Sequence, residues 1–170
     1  MRRIALLFTF LLVLTGTVSE AVAQQPKWIG TKGDWSVYTF AEGGKLVCYM
    51  ASAPVKAVGN YKRRGQIFAL VTNRPAAKSK NVVSLVAGYT YEKGSEAIAK
   101  VGKDEFKLFT DTDRAWSPNP KTDRALVAAM VKGRRMEVRG QSSRGTKTND
   151  TYSLNGFTAA KKLIDKTCKI

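Results

Sequence analysis

Apolar positions follow two regimes along the chain. Met1, Arg2 and Arg3 lead into an unbroken apolar run from Ile4 to Leu14, and Ala21, Val22 and Ala23 come after a polar interval. A positive end, a short hydrophobic middle and small residues at a cleavage point describe an export signal over residues 1–23, whose removal leaves Gln24 first. The run is too short to cross a bilayer core of about 30 Å as a helix, and no second run of that kind follows, so no transmembrane segment is expected after processing. Beyond the signal, apolar residues recur as short alternations.

Residues 24–34 are polar and Gly/Pro-containing and read as a loose leader, with Trp28 and Ile29 docking on the body. Residues 35–170 form the single domain. Trp35–Phe40 and Lys45–Ser52 flank Glu42-Gly43-Gly44 and predict a hairpin. Ala53–Gly65 reads as an exposed loop around Lys62-Arg63-Arg64. Gln66–Asn73 and Val82–Tyr91 are the next strands, the latter with a bulge or a close backbone approach at Gly88. Residues 97–101 and 106–110 make a second hairpin, and Asp111–Thr122 is a loop. Thr122 or Asp123 caps a helix through Val131, with Gly133 as its left-handed stop. Met136 and Val138 alternate with Arg135, Glu137 and Arg139 in a strand over Arg134–Gln141. Asp150–Leu154 is the last strand, and a short amphipathic helix begins at Thr158. About seven or eight short strands with two short helices predict a mainly β fold, a β-sandwich.

Lys and Arg number 29 against 13 Asp and Glu, a net charge of +16. Loss of the signal leaves that excess nearly intact. The resulting field draws anionic partners and weakens with salt. Lipopolysaccharide, acidic cell-surface glycan, anionic membrane and acidic envelope proteins all qualify, whereas export disfavours nucleic acid. Arg63, Arg64, Arg134, Arg135, Arg139, Arg144 and Lys147 are the candidate anion-contact surface; the competing reading is a solvated basic surface with no dedicated ligand. Cys48 and Cys168 are the two cysteines. In an oxidising compartment they predict one disulfide, with two free thiols or an intermolecular bond as the competing readings.

Histidine is absent, which removes Ser-His-Asp and Cys-His catalysis and HExxH zinc sites. The serine-lysine signatures and Gly-rich phosphate loops are missing too. Asp111, Asp113 and Asp123 lack EF-hand spacing and read as a solvated acidic loop or a helix cap rather than a metal site. No catalytic, cofactor-binding or metal-ligating residue is singled out, and the chain reads as a non-enzyme.

Ser142-Ser143-Arg144-Gly145-Thr146, then Thr148, Asp150-Thr151-Tyr152-Ser153-Leu154, Gly156-Phe157 and Ala160 resemble the signature of the invasion-associated locus B family of exported alphaproteobacterial proteins. Gly88-Tyr89, Ala115-Trp116, Ala129 to Gly133, Met136, Trp35 and Cys48 extend the resemblance over nearly the whole mature chain. It implies an immunoglobulin-like β-sandwich, periplasmic or secreted, with Cys48 and Cys168 paired, and a link to host-cell invasion carried by the family's name. The motif also has a packing reading: Gly145 for a tight turn, Thr146 and Thr148 bonding nearby backbone, Tyr152 and Leu154 pointing inward. The functional expectation is an envelope or secreted interaction protein that binds anionic cell-surface material. A structural or chaperone-like periplasmic partner is the alternative, which an apolar patch or open strand edge favours. A hydrolase using serine, lysine or carboxylates stands third and requires those groups to converge in a pocket.

Overall fold

A computed structural model describes residues 25–170; the export signal expected over residues 1–23, with its cleavage point before Gln24, lies outside them. Gly43 and Gly44 both take positive φ, 56° and 74°, as a type I′ turn demands. They join β2 (Trp35–Glu42) to β3 (Lys45–Ser52) in a register running from Glu42 opposite Lys45 to Ser36 opposite Ala51. A second two-residue turn at Gly102-Lys103 joins β7 (Glu96–Val101) to β8 (Asp104–Asp111). Both hairpins stand where the apolar alternation places them. The remaining strands are β1 (Lys27–Lys32), β4 (Lys56–Gly59), β5 (Phe68–Arg74), β6 (Ser79–Val86), β9 (Arg114–Trp116), β10 (Arg135–Gln141) and β11 (Lys147–Ser153), with helices α1 (Pro120–Lys132) and α2 (Phe157–Cys168).

All eleven strands join one antiparallel sheet in the order β1-β2-β3-β5-β6-β9-β8-β7-β10-β11-β4, with β1 and β4 as its free edges. A sheet this wide curls rather than staying flat. Its two ends accordingly meet: the Asp34 amide donates to the Asn155 carbonyl at 3.1 Å, and the Trp35 indole donates to the Ser153 carbonyl at 3.0 Å. Gly33 and Gly156 permit the approach. Both have positive φ, and a Cβ on either would run into the backbone of Asn155 or Lys32.

Alternation puts Trp35 and Val37, Val71, Met136 and Val138, and Tyr152 on the inner face, all buried. Phe157, Ala160, Ile164 and Cys168 recur every three or four residues down one side of α2 and close that core over β2 and β3, Phe157 meeting Trp35 edge to face at 5.0 Å. The buried side of α1, with Leu126 and Met130, covers β6. A disulfide from Cys48 in β3 to Cys168 fastens the end of α2 to the sheet.

The mainly β class with two helices agrees with the sequence expectation. The strand count exceeds seven or eight, and the ladder joins every strand into one sheet, so the immunoglobulin-like sandwich is not confirmed. Three further corrections are local. The expected loose leader is strand β1 over Lys27–Lys32, paired to β2. The expected loops Ala53–Gly65 and Asp111–Thr122 contain β4 and β9. The cap of α1 is Asn119, whose side chain accepts from the Thr122 amide at 2.9 Å, and Gly133 has φ −82° rather than a left-handed backbone. Glycine is needed there for space, because a Cβ would collide with Val101.

Candidate functional site

On β11 the inward positions are Thr148, Asp150 and Tyr152, so strict alternation carries a carboxylate into the interior. Its partner comes from the segment between β4 and β5. Arg64 folds inward until both side chains are only 4% exposed, and its Nη1 and Nη2 donate to Asp150 Oδ1 and Oδ2 at 2.6 and 2.5 Å. Nε donates to the Ala87 carbonyl at 2.7 Å. The guanidinium lies 5.4 Å from the centre of the Tyr61 ring and 4.9 Å from that of Tyr89, within the range of cation–π attraction. Burial works against the Arg64 charge, but the bonds and the charge of Asp150 outweigh it and hold the guanidinium more firmly protonated than usual. Bidentate geometry with Nε also bonded goes far toward what a buried ion pair needs to repay its desolvation.

Around the pair the polar groups interlock. The Tyr89 hydroxyl shares a hydrogen bond with Thr148 at 2.7 Å. Burial pushes the phenol pKa of Tyr89 up, against the opposing pulls of Thr148 and Arg64, and burial likewise raises those of Tyr91 and Tyr152. Gly88, at φ 71°, lets its carbonyl accept from the Gly65 amide at 2.9 Å; a Cβ there would strike the Gly65 backbone. The turn after β10 is wound on Ser142, whose hydroxyl accepts from the Arg144 and Thr146 amides at 3.3 and 3.2 Å. Gly145 supplies that turn's positive φ of 79°.

Above this floor opens a cleft of about 840 Å³ between the Asn60–Gly65 segment, Gly88–Thr90 and the Ser142–Thr146 turn. Lys62, Arg63 and Arg144 are exposed on its walls, and no carboxylate lines it. None of the three forms an ion pair among the described residues. With Arg64 neutralised by Asp150, they leave the cleft net positive. Hydroxyls of Ser143, Thr90 and Thr146 stand beside them, giving the cleft cationic and neutral hydrogen-bond donors suited to an anion.

The seven basic positions singled out from sequence therefore separate. Arg63 and Arg144 meet at the cleft. Arg64 is corrected from surface contact to buried partner of Asp150. Arg139 is tied to Glu105 at 2.6 Å and, with Lys147, lies beside a different groove; Arg134 and Arg135 line a third that also holds Asp34 and Glu137. Sequence reasoning missed Lys62 as a wall residue and Asp150 as an interior charge. The alternation Thr148, Asp150, Tyr152 was the available signal for the second.

Motif residues have packing roles. Tyr152 and Leu154 are buried as their inward reading predicts; Thr148 bonds a side chain rather than backbone, Thr151 pairs with Lys56 of β4, and Thr146 closes its turn by accepting from the Ser142 amide. No group of three or more His, Cys, Asp or Glu among the described residues is arranged to hold a metal. Asp123 is turned inward, accepting from the Val83 amide at 2.9 Å, away from Asp111 and Asp113. None of the described helices is long and apolar enough to cross a membrane.

Fold and site define an antiparallel β protein, fastened by one disulfide and covered by two helices, with a basic cleft built over a buried arginine–aspartate pair. Residues 35–165 match the family described as Invasion associated locus B (IalB) protein, and the chain belongs to it. The architecture is similar to the crystal structure of invasion associated protein B from Bartonella henselae, with a TM-score of 0.57 and 20% identity, over 82% of this chain and 96% of that one. At that identity the likeness bears on the fold alone. No curated protein sequence matches the chain.

Proposed function

We propose that this is an exported, non-enzymatic interaction protein, periplasmic or secreted, that binds anionic cell-surface material such as lipopolysaccharide or acidic glycan in the cleft walled by Lys62, Arg63 and Arg144. The carrying observation is the convergence of three exposed cations, drawn from two distant segments, around a cleft without carboxylates. Turnover has no histidine beside the cleft hydroxyls to draw on, and both oxygens of Asp150 are occupied by Arg64. The disulfide is in keeping with an oxidising compartment. A part in host-cell invasion rests on the family's name alone.

Binding of lipopolysaccharide and of a sulfated glycan to the mature protein, measured at low and high salt, tests the reading. A charge-assisted hydrogen bond is worth about 1.5 to 3 kcal/mol, so R63Q/R144Q should weaken binding at least about tenfold. R134Q/R135Q, outside the cleft, should leave it unchanged. Affinity indifferent to salt, or to the cleft pair, refutes the proposal.

A further inference from the structure

An antiparallel sheet with one face on the core ordinarily turns polar residues to the other. Strand β3 does not: Cys48 and Met50 point inward, while Val47 and Tyr49 point out. Register carries this outward row across five strands as Trp28, Tyr38, Tyr49, Thr72 and Val82. The row beside it, Ser36, Ala51, Leu70 and Ser84, is uncharged as well. Charge enters only at the β2–β3 turn, where Glu42 lies opposite Lys45 and accepts from Arg74 at 3.0 Å. Tyr38 stacks on Tyr49 at 5.2 Å, Phe40 meets Tyr49 edge to face at 6.0 Å, and Trp28 is 59% exposed. The outer face of β7, β8 and β10 is the opposite, laced by Arg139 and Lys100 on Glu105 and by Lys107 on Glu96. Both helices pack on the inner face, in one core with Trp35 and Met50, so neither covers this apolar half.

We propose that the outer face of β1, β2, β3, β5 and β6 is a self-association surface, on which a second copy of the chain packs sheet to sheet. Charge and area carry the choice. A chain of net charge +16 repels its own copies, and this uncharged face is where two of them meet without opposing like charges, as a two-fold contact of one patch with itself requires. Five strands about 4.8 Å apart and about six residues deep offer about 500 Å² per copy, and about 1,000 Å² in all is the lower bound of a specific interface. The curl of the sheet keeps the closest contact to the strands around β3, so the dimer is a weak one. A glycan is the other occupant that aromatic residues invite. Against it, Tyr38 and Tyr49 spend their ring faces on one another and present no flat platform for a sugar. This face is separate from the cleft, and the proposal stands whether or not the cleft binds glycan.

The test is sedimentation velocity of the mature, oxidised protein over a concentration series reaching the millimolar range. A monomer–dimer equilibrium in the micromolar range is expected. It should tighten as salt rises, because salt screens the repulsion between copies, whereas charge-driven binding in the cleft weakens. Y49K sets a cation in the middle of the face and should loosen the dimer at least about tenfold, as should W28S at a position the fold itself does not bury. An equimolar mixture of Y49K and Y49E should associate where neither does alone, which a misfolded variant would not. R63Q/R144Q should leave the equilibrium unchanged. A chain that stays monomeric at every concentration and salt overturns the proposal, as does a dimer indifferent to both Y49K and W28S. Dimerisation lost in R63Q/R144Q would place the contact in the cleft, and binding of a neutral glycan that Y49K removes from a monomeric protein would make the face a sugar site; either result also overturns it.

Discussion

Arg63 and Arg64 are neighbours with identical side chains and opposite fates, one exposed on the cleft wall and the other buried beneath it. What decides between them is Asp150, 86 positions further on, so composition and local pattern carry no trace of the difference. The inward register of Asp150 itself was legible from the alternation on β11; its partner was not. D150N strands the Arg64 charge in the interior and should cost about 3–5 kcal/mol in urea unfolding. R64M/D150L, which removes both charges and keeps bulk, should recover most of that loss; a double variant no more stable than D150N argues against the buried pair as the cause. Asp123 makes the opposite case. Burial raises its pKa above 3.8, while the Val83 amide pulls the other way. Above pH 3.8 the folded chain therefore holds this proton more tightly than the unfolded one, and the stability it contributes declines as pH rises through the shifted pKa. D123N, which keeps a side-chain oxygen for Val83, should remove that slope. The stability difference between wild type and D123N should fall from about pH 4 upward and then level; a difference constant between pH 3 and 7 defeats the assignment.

Elements long enough to show a period were readable. The two glycine-turn hairpins, the strand carrying Met136 and Val138, and α2 with its buried Phe157, Ala160, Ile164 and Cys168 stand close to where the pattern places them. The short elements were not. β4 and β9 hold four and three residues, fewer than a period-two pattern needs to declare itself, and β1 alternates poorly because it is an edge with little to bury. α2 owes its position to more than its apolar side, since Cys168 is bonded to β3 and Asp165 accepts from Asn73 of β5. Replacing both cysteines with alanine should cost about 2–5 kcal/mol, read as a lower denaturation midpoint, with the wild type falling to the same midpoint under reductant. A variant as stable as the oxidised parent would show that helix packing alone holds the element.

For the whole molecule, the pattern reached the class and the covering helices but not the connectivity. Strand order depends on which distant segments pair, and β1-β2 opposite β11-β4 is written in no local stretch. The sandwich expectation is not confirmed, because counting alternations says how many strands have an inner face, not whether their ladders run on from one to the next. The meeting of the sheet's two ends has a kinetic corollary. Trp35 finds the Ser153 carbonyl and the ring of Phe157 only when segments more than a hundred positions apart are present together, and such distant pairings form slowly. Before β11 and α2 are made, the early strands have nothing to shut the curl of the sheet around Trp35. A chain emerging from synthesis would stay pliable until its last segments arrive, and shut its interior late.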